Sequence, residues 1–238
     1  MIGAISHQWR QPLNSIGLIM QDISSAYTYG ELDNEYFKRS KSEVMEQLQF
    51  MSNTIDEFRN FFRSASPSTV VNVIELIEQI RHLYWPQLKA HGIEMVLECM
   101  IAGEEPVLCS NIRVKNFQKF IIESFPSELK QLLLNLISNA KEAIQVHEDA
   151  QKIIYIRITS LDDSITIDVT DYAGGIDPVN ANRIFEPFFT TKEEGTGLGL
   201  FIANTLATHN LGGKLSYHTV ESDGIKGSCF SLVVPKTK

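Results

Sequence analysis

The sequence has few cysteines, no long apolar run and no excess of positive charge. Its three cysteines, Cys99, Cys109 and Cys229, lie far apart without a CxxC motif, so their spacing predicts neither a zinc site nor a disulfide framework. This usage suits a reducing cytosol, where we expect the chain to work. No apolar stretch reaches the roughly 18 to 20 residues that span a bilayer. The amino terminus also lacks a basic segment followed by an apolar one, so no signal peptide is predicted, and any membrane-bound sensor would lie outside this chain.

Negative charge outweighs positive charge. The formal net charge is −8, with 29 acidic residues against 21 basic ones. A general nucleic-acid binder presents a basic face to the phosphate backbone, so this balance argues against such a function. A chain of 238 residues that is 43% hydrophobic and 21% charged is typical of a globular protein with one large or two modest domains.

The first part of the chain predicts two amphipathic helices joined by a short turn. Apolar residues of the first helix recur every seven positions, at Ile2, Trp9, Ile16 and Ile23. A second series steps by four and three, at Phe37, Val44, Leu48, Met51, Ile55, Phe58 and Phe62. Between them, Gly30 is a helix stop, and Asp33 or Asn34 is an N-cap. The pattern predicts an antiparallel hairpin, and because one hairpin cannot bury a whole core, a second copy is expected to complete a four-helix bundle as a homodimer.

Pro12 lies inside the first predicted helix, five residues after His7. A proline in a helix costs about 3 kcal/mol because it removes the hydrogen bond to the carbonyl four residues earlier. Burying a large apolar side chain returns about 1.5–3 kcal/mol, and several such positions lie on both sides of Pro12. The helix is therefore expected to continue through a kink, with His7 at the flank of the core where it can meet solvent.

A Ser-rich segment, RSASPSTVV at 63–71, is the predicted linker between a first domain, 1–66, and a second, 67–238. The second domain should begin with a helix that ends near Trp85–Pro86, and a later helix has Ser127 as its predicted cap. Strand patterns follow in GIEMVLEC, IIYIRITSL, SITIDVTD, KLSYHTV and GSCFSLVVP, and VKNFQKFIIES is a further candidate strand. The prediction is an α+β fold in which a helical hairpin precedes an α/β layer.

Four short segments of the second domain carry residues suited to a nucleotide and a metal ion. In NLISNAKEA, Asn135 and Asn139 lie one helical turn apart, and their amide oxygens are ligands that Mg²⁺ accepts. In DVTDYAGGI, Asp171 ends a strand before a glycine pair and is suited to accept a hydrogen bond from an exocyclic amine such as that of adenine. Alone, each segment also fits an ordinary capped helix or turn.

The other two segments are rich in aromatic residues or glycine. In RIFEPFFTTK, the phenylalanines are expected to pack a mobile loop, which leaves Thr190, Thr191 and Lys192 for phosphates. GTGLGL, at 195–200, opens a helix, where bare N–H groups and the positive end of the helix dipole favour a triphosphate. GTGLGL is not a P-loop, since no Gly-Lys-Ser/Thr follows, and it lacks the last glycine of the dinucleotide fingerprint, since position 200 is leucine.

In order and spacing, these segments resemble the nucleotide boxes of the sensor histidine kinases of two-component signalling. The asparagine helix is similar to the N box, DYAGGI to the G1 box, FEPFFTTK to the F box and GTGLGL to the G2 box. SHQWRQPL resembles the H box and GSCFSLVVP the final strand pair, so the resemblance covers nearly the whole chain. It implies a helical hairpin that forms a dimeric four-helix bundle, followed by an α/β-sandwich ATP-binding domain of the Bergerat or GHKL type.

The resemblance implies a role for each matching position. Asn139 would ligate Mg²⁺, with Asn135 assisting at the metal or the phosphates. Asp171 would bind the adenine amino group, with Gly175 and Ile176 beneath the ring. The other positions implied to bind or border the nucleotide are Phe185, Thr190, Thr191, Lys192, Gly195, Thr196, Gly197, Leu198, Gly199, Leu200 and Ser228.

The same resemblance implies a histidine kinase that uses ATP and Mg²⁺. His7 would be the phosphoacceptor and would pass its phosphoryl group to an aspartate of a response-regulator receiver domain. Neutral imidazole is a competent nucleophile at cytosolic pH, because its reference pKa is about 6.5. Phosphoryl transfer asks the protein mainly for positioning and charge neutralisation.

Three positions depart from the family pattern. Gln8 follows His7 where many members have Asp or Glu, and its amide can orient the imidazole but cannot take a proton at neutral pH. Gln11 stands where some members carry Thr or Asn for phosphatase work, so dephosphorylation of the partner stays open. Ala173 replaces a usual glycine of the G1 box, a small change that leaves the turn workable.

Two other interpretations stay open. ATPases of the gyrase, mismatch-repair or heat-shock chaperone type share the nucleotide boxes, but they activate water with a glutamate one turn before the metal asparagine. Asn135 occupies that place here, so multiple-turnover hydrolysis should be very slow. The second alternative is a non-catalytic dimer that binds ATP as a conformational ligand, and nucleotide binding without transfer to His7 would favour it.

Overall fold

The computed structural model describes the backbone of residues 2–61, 67–111, 114–192 and 195–237. Side chains are described for the same residues except 2–11, 53, 54, 56–61, 111, 114 and 115. The chain divides into two compact units, one of residues 1–63 with 191–196 and the other of residues 64–190 with 197–238. Within the described ranges, no helix combines the length and the apolar character that crossing a membrane requires.

The first unit contains a pair of long helices, α1 (Ile2–Tyr29) and α2 (Asn34–Phe61). Gly30 adopts φ +75° and ends α1, and the Asp33 carboxylate accepts the Tyr36 N–H at 2.7 Å, so the predicted stop and cap are confirmed. Helix α1 also continues through Pro12, as the balance of burial against proline cost predicted. The Tyr36 hydroxyl donates to Asp22, which ties the start of α2 to α1.

The second unit is built on a six-stranded sheet in the order β3-β2-β5-β6-β8-β7. Its strands are β2 (Glu94–Ile101), β3 (Val107–Leu108), β5 (Ile153–Ser160), β6 (Ser164–Asp171), β7 (Lys214–Ser222) and β8 (Ile225–Pro235). The β2–β5 pair is parallel and the other pairs are antiparallel. A separate antiparallel pair joins β1 (Thr69–Asn72) to β4 (Ile121–Ser124).

Three helices accompany this sheet: α3 (Val73–Ala90), α4 (Pro126–Val146) and α5 (Gly199–Thr205), the last widened into a π turn at Leu206–Asn210. Strand β6 alternates strictly, so Ile165, Ile167 and Val169 are buried on one face while the residues between them are partly exposed. Helix α4 lies against β5 and β6 and buries Leu129, Leu132, Leu133, Leu136 and Ile137 completely. The result is a two-layer α/β sandwich, as predicted, with the core between the sheet and the helices.

Two predicted helix boundaries are wrong. Helix α3 does not end near Trp85–Pro86 but runs to Ala90 with Pro86 inside it. Leu88 in the last turn is fully buried, and this burial offsets much of the cost of the proline. Helix α4 begins at Pro126 rather than at a Ser127 cap, since a proline at the first helical position has no N–H that needs a partner.

Two irregular segments also differ from expectation. The candidate strand VKNFQKFIIES is a 3₁₀ turn at Val114–Phe120 followed by β4 at Ile121–Ser124. The predicted linker at 63–71 overlaps β1, which begins at Thr69, and residues 62–66 lie outside the described part of the chain. Local pattern does not predict this four-residue strand, because the residues of its partner, β4, lie 49 to 55 positions away in sequence.

The expectation of no disulfide framework is wrong as well. Cys99 and Cys109 form a disulfide, with their Cα atoms 5.0 Å apart, and both side chains are buried. The cause is the antiparallel pairing of β2 with β3, which places Cys99 opposite Val107 and brings the chain back beside it at Cys109. The cysteine spacing carries no motif for this, because the pairing of the strands creates the proximity.

The remaining cysteine gives a direct test of this assignment. Cys229 is a buried free thiol, and burial raises its pKa, so little reactive thiolate forms near neutral pH. We expect Ellman's reagent at pH 8 to find no fast-reacting thiol in the native protein, one thiol after denaturation without reductant, and three after reduction. Three thiols in the unreduced, denatured chain would show that Cys99 and Cys109 are not joined.

Candidate functional site

Helix α4 carries the two asparagines predicted to meet a metal ion. Asn135 and Asn139 are both half-buried and lie one turn apart beside the apolar stripe of the helix. The Asn135 Nδ2 group donates a hydrogen bond to the Gly199 carbonyl at 3.0 Å. This bond fixes the amide so that Oδ1 is the atom left to accept a donor or to bind a cation. It also joins the N box to the G2 box, as the predicted site requires.

Asp171 ends strand β6 and is 4% exposed. Its Oδ1 accepts a hydrogen bond from the Ala173 N–H at 3.1 Å, which holds the carboxylate at the start of the G1 turn. Gly174 and Gly175, both at positive φ, then reverse the chain. A buried carboxylate at this position is suited to accept a hydrogen bond from a donor on a ligand.

Strand β8 brings a second buried polar group beside this carboxylate. Ser228 is the register partner of Asp171 and is 5% exposed. Directly opposite residues of an antiparallel pair point to the same face, so the hydroxyl lies next to the carboxylate. The close approach depends on Gly227, where an added Cβ would lie 2.0 Å from the Asp171 carbonyl oxygen.

The F and G2 segments are held together by their backbones. The Phe188 N–H donates to the Gly197 carbonyl at 2.9 Å, and Phe188 adopts φ +68°, a left-handed conformation that is strained for an aromatic residue. Gly197 also has positive φ, and a Cβ there would lie 2.4 Å from the Phe188 carbonyl carbon. Strained backbone of this kind occurs at ligand sites more often than elsewhere.

The other predicted positions divide into three groups. In the second unit, Phe185 packs edge-on against Phe230 with ring centroids 6.4 Å apart, Leu198 is buried, Leu200 is half-buried and Thr190 is exposed. Thr191, Lys192, Gly195 and Thr196 belong to the segment that groups with the first unit. The last group is His7, Gln8 and Gln11, which lie on α1 but have side chains outside the described residues, so their roles remain predictions.

Sequence reasoning missed Tyr217 on strand β7. Its hydroxyl accepts a hydrogen bond from the Ile176 N–H of the G1 turn at 3.2 Å. The two residues are 41 positions apart, and only the register of β7 against β8 brings them together. No local motif marks such a tyrosine.

A metal ion at this site would depend on neutral oxygen ligands. Among the residues whose positions are described, no three His, Cys, Asp or Glu side chains converge on one point. The asparagine amides of α4 are therefore the protein groups that fit a hard cation such as Mg²⁺, which commonly completes its shell with phosphate oxygens and water.

Residues 125–238, which contain helix α4 and strands β5 to β8, match the family described as histidine kinase-, DNA gyrase B-, and HSP90-like ATPase. This part of the chain is therefore similar to the ATPase domains of that class. Over 241 aligned residues, the chain is 26% identical to the two-component sensor PprA of Pseudomonas aeruginosa, an alignment that covers 99% of this chain and 24% of that protein. The predicted resemblance to the sensor histidine kinases is thus confirmed.

Solved structures agree with this assignment. The catalytic domain of the histidine kinase ThkA superposes with a TM-score of 0.56 at 28% identity, covering 73% of this chain and 100% of that one. ThkA in complex with the response regulator protein TrrA has the same fold over 100% of this chain and 61% of that one, with a TM-score of 0.67 at 23% identity. The chain spans about a quarter of the length of PprA, of the nitrogen regulation protein NtrY of Azorhizobium caulinodans and of sporulation kinase E of Bacillus subtilis.

Proposed function

We propose that this chain is a histidine kinase core that transfers the γ-phosphoryl group of ATP to His7 and then to an aspartate of a response-regulator receiver domain. One observation carries the proposal: the bond from Asn135 to Gly199 joins two of the predicted nucleotide boxes. In the same unit, Asp171 is buried beside Ser228. Asn135, Gly199, Asp171 and Ser228 all belong to this unit, and their placement supports a nucleotide site there.

The base would be bound by the Asp171 carboxylate, which would accept a hydrogen bond from the exocyclic amine of adenine. Gly175 and Ile176 would lie beneath the ring, and Ser228 beside it. Asn139, assisted by Asn135, would hold Mg²⁺, which when bound neutralises phosphate charge. The remaining residues of the F and G2 boxes would border and cradle the phosphates.

The phosphoacceptor step requires an uncharged ring at His7. A ring nitrogen attacks the γ-phosphorus, a nitrogen–phosphorus bond forms, and the bond from phosphorus to the bridging oxygen breaks, so that ADP leaves. The proton on the other ring nitrogen passes to water, because the Gln8 amide can accept a hydrogen bond but not a proton at neutral pH. Gln8 would thus orient the imidazole. Gln11, one turn after His7, would position a water molecule if the kinase also dephosphorylates its partner.

We also propose a homodimer, which exposed apolar side chains of the hairpin support. Large apolar side chains of both helices are uncovered in the single chain: Leu13 is 52% exposed, Met20 55%, Phe37 51% and Leu48 46%. Several exposed large apolar side chains on one pair of helices are typical of a protein interface. A second copy packing the same face would form the four-helix bundle.

The partner is inferred from the relatives. ThkA, whose structure shares this fold, was solved in complex with a response regulator. A receiver domain with an acceptor aspartate is therefore the partner we propose for this chain.

Radiolabelled ATP tests the proposal directly. We expect wild-type protein with Mg²⁺ and γ-labelled ATP to incorporate label that is acid-labile and base-stable, as a phosphorus–nitrogen bond requires. His7→Gln should lose this labelling completely while still binding ATP with unchanged affinity, because His7 lies outside the nucleotide boxes. Labelling retained by His7→Gln would reject His7 as the acceptor, and steady release of inorganic phosphate without labelling would favour an ATPase.

A further inference from the structure

A row of polar side chains crosses three strands at the end of the sheet. Asp171 on β6 is the register partner of Ser228 on β8, and Ser228 is the partner of Thr219 on β7. Directly paired residues point to the same face, so one carboxylate and two hydroxyls lie side by side. The row begins at the carboxylate proposed to bind adenine and ends on the edge strand of the sheet.

Tyr217 continues this row and connects it to the G1 turn. It lies two residues before Thr219 and so shares its face of β7. Its hydroxyl oxygen is 3.1 Å from the Thr219 hydroxyl and accepts the Ile176 N–H at 3.2 Å. Its ring packs against Phe230 with centroids 5.5 Å apart, and Phe230 in turn contacts Phe185 of the F box.

This contact acts on the end of the G1 turn. Gly174 and Gly175 both have positive φ and carry no side chain to pack. The Gly174 N–H is bonded to the Lys226 carbonyl at 2.9 Å, which anchors the start of the turn to β8. The bond from Ile176 to Tyr217 anchors its end to β7. The turn is thus hydrogen-bonded to β8 at its start and to the Tyr217 hydroxyl of β7 at its end.

We propose that Tyr217 is a positioning residue for the nucleotide base. Its hydroxyl accepts the hydrogen bond from the Ile176 N–H and thereby fixes the distance between the G1 turn and the adenine ring above it. The inference rests on the proposed nucleotide site. Tyr217 does not touch the reacting atoms, so it acts on affinity for the base and leaves the transfer step alone.

Tyr217→Phe removes the hydroxyl and keeps the ring on Phe230. We expect the Kd for MgADP, measured by isothermal titration, to rise about three- to tenfold, which is the net value of one part-buried hydrogen bond. In autophosphorylation, the KM for ATP should rise by the same factor while the rate at saturating ATP is unchanged. In nucleotide-free protein, hydrogen exchange in a peptide covering residues 174–177 should be about tenfold faster.

Two further variants sharpen the test. Tyr155→Phe makes the same change on the opposite face of the sheet, where Tyr155 pairs with Thr170. It should leave the Kd for MgADP and the hydrogen exchange of residues 174–177 at wild-type values. Thr219→Val removes the second partner of the Tyr217 hydroxyl and keeps the hydrogen bond to Ile176. It should therefore raise the Kd for MgADP less than Tyr217→Phe does. A smaller effect in Tyr217→Phe than in Thr219→Val would overturn the assignment.

The exchange measurement separates this inference from the proposed function. If wild-type protein binds no adenine nucleotide, the proposed function fails, but exchange in the G1 turn still reports whether Tyr217 holds it. If the wild type binds MgADP, and Tyr217→Phe matches it in affinity and in exchange, the positioning role is rejected while the kinase assignment stands.

Discussion

Replacing Asp171 with asparagine is expected to weaken the binding of ATP and ADP about 30- to 100-fold, or roughly 2–3 kcal/mol. The substitution keeps the size of the side chain. However, one carboxylate oxygen already accepts the Ala173 N–H at 3.1 Å. An asparagine has one acceptor oxygen, so its NH₂ group must face either that N–H or the adenine amine, and in both cases two donors oppose each other in a buried site. Titration of MgADP into the purified variant measures the loss.

Asp168→Asn is the matched control. Asp168 lies on the same strand three residues earlier, but on the opposite face, where its carboxylate accepts a hydrogen bond from the Ser231 hydroxyl at 2.5 Å. An asparagine oxygen can accept the same hydrogen bond, so nucleotide affinity should stay within twofold of wild type. Discrimination between ATP and GTP gives a second readout, and it should fall in Asp171→Asn alone. Equal affinity of Asp171→Asn and wild type would remove Asp171 from base recognition.

Gly197→Ala is expected to abolish measurable nucleotide binding and to lower the thermal unfolding midpoint by roughly 5–10 °C. Its φ of +65° costs an alanine about 1–2 kcal/mol. In addition, the new Cβ would lie 2.4–2.7 Å from three backbone atoms of Phe188, and backbone cannot move aside as a flexible side chain can. The F and G2 segments must therefore separate, and the bond from the Phe188 N–H to the Gly197 carbonyl must break. Differential scanning fluorimetry with and without MgADP measures both effects.

Gly199→Ala provides the comparison for this variant. A Cβ at Gly199 meets nothing within 4 Å, and the residue opens helix α5, where alanine is the better helix former. Its unfolding midpoint without nucleotide should equal or exceed that of wild type. Any loss of MgADP binding in Gly199→Ala would then report crowding of the ligand and not of the chain. A Gly197→Ala protein as stable as Gly199→Ala would show that the close approach to Phe188 is not maintained in solution.

Local patterns predicted most of the secondary structure, because each depends on near neighbours in sequence. The seven-residue repeat, Gly30 and Asp33 were sufficient to place both helices of the hairpin, and alternation was sufficient for β2, β5 and β6. The errors occurred where tertiary burial outweighed a local signal. Because Leu88 is buried, α3 continues past Pro86. Pairing with β4 makes a strand, β1, of residues that were predicted to belong to the linker.

The candidate site shows the same division. Order and spacing identified Asn135, Asn139, Asp171 and the glycines of 195–200, because these residues form motifs within short segments. No spacing could identify Gly227 or Tyr217, since each acts on a residue more than 40 positions away, Asp171 in one case and Ile176 in the other. The disulfide between Cys99 and Cys109 belongs to this group too, because strand pairing alone makes the two thiols neighbours.

By itself, the sequence determined the resemblance to the sensor histidine kinases, the helical hairpin and the residue types of the candidate nucleotide site. These features depend on short-range periodicity and on motifs formed by residues that are near one another in sequence. Tertiary structure decided which groups support that site: the strand register beside Asp171, the backbone contact at Gly197 and the hydroxyl that holds the G1 turn. Register and close backbone approach arise from the packing of distant segments, so they emerge only once the sheet has formed.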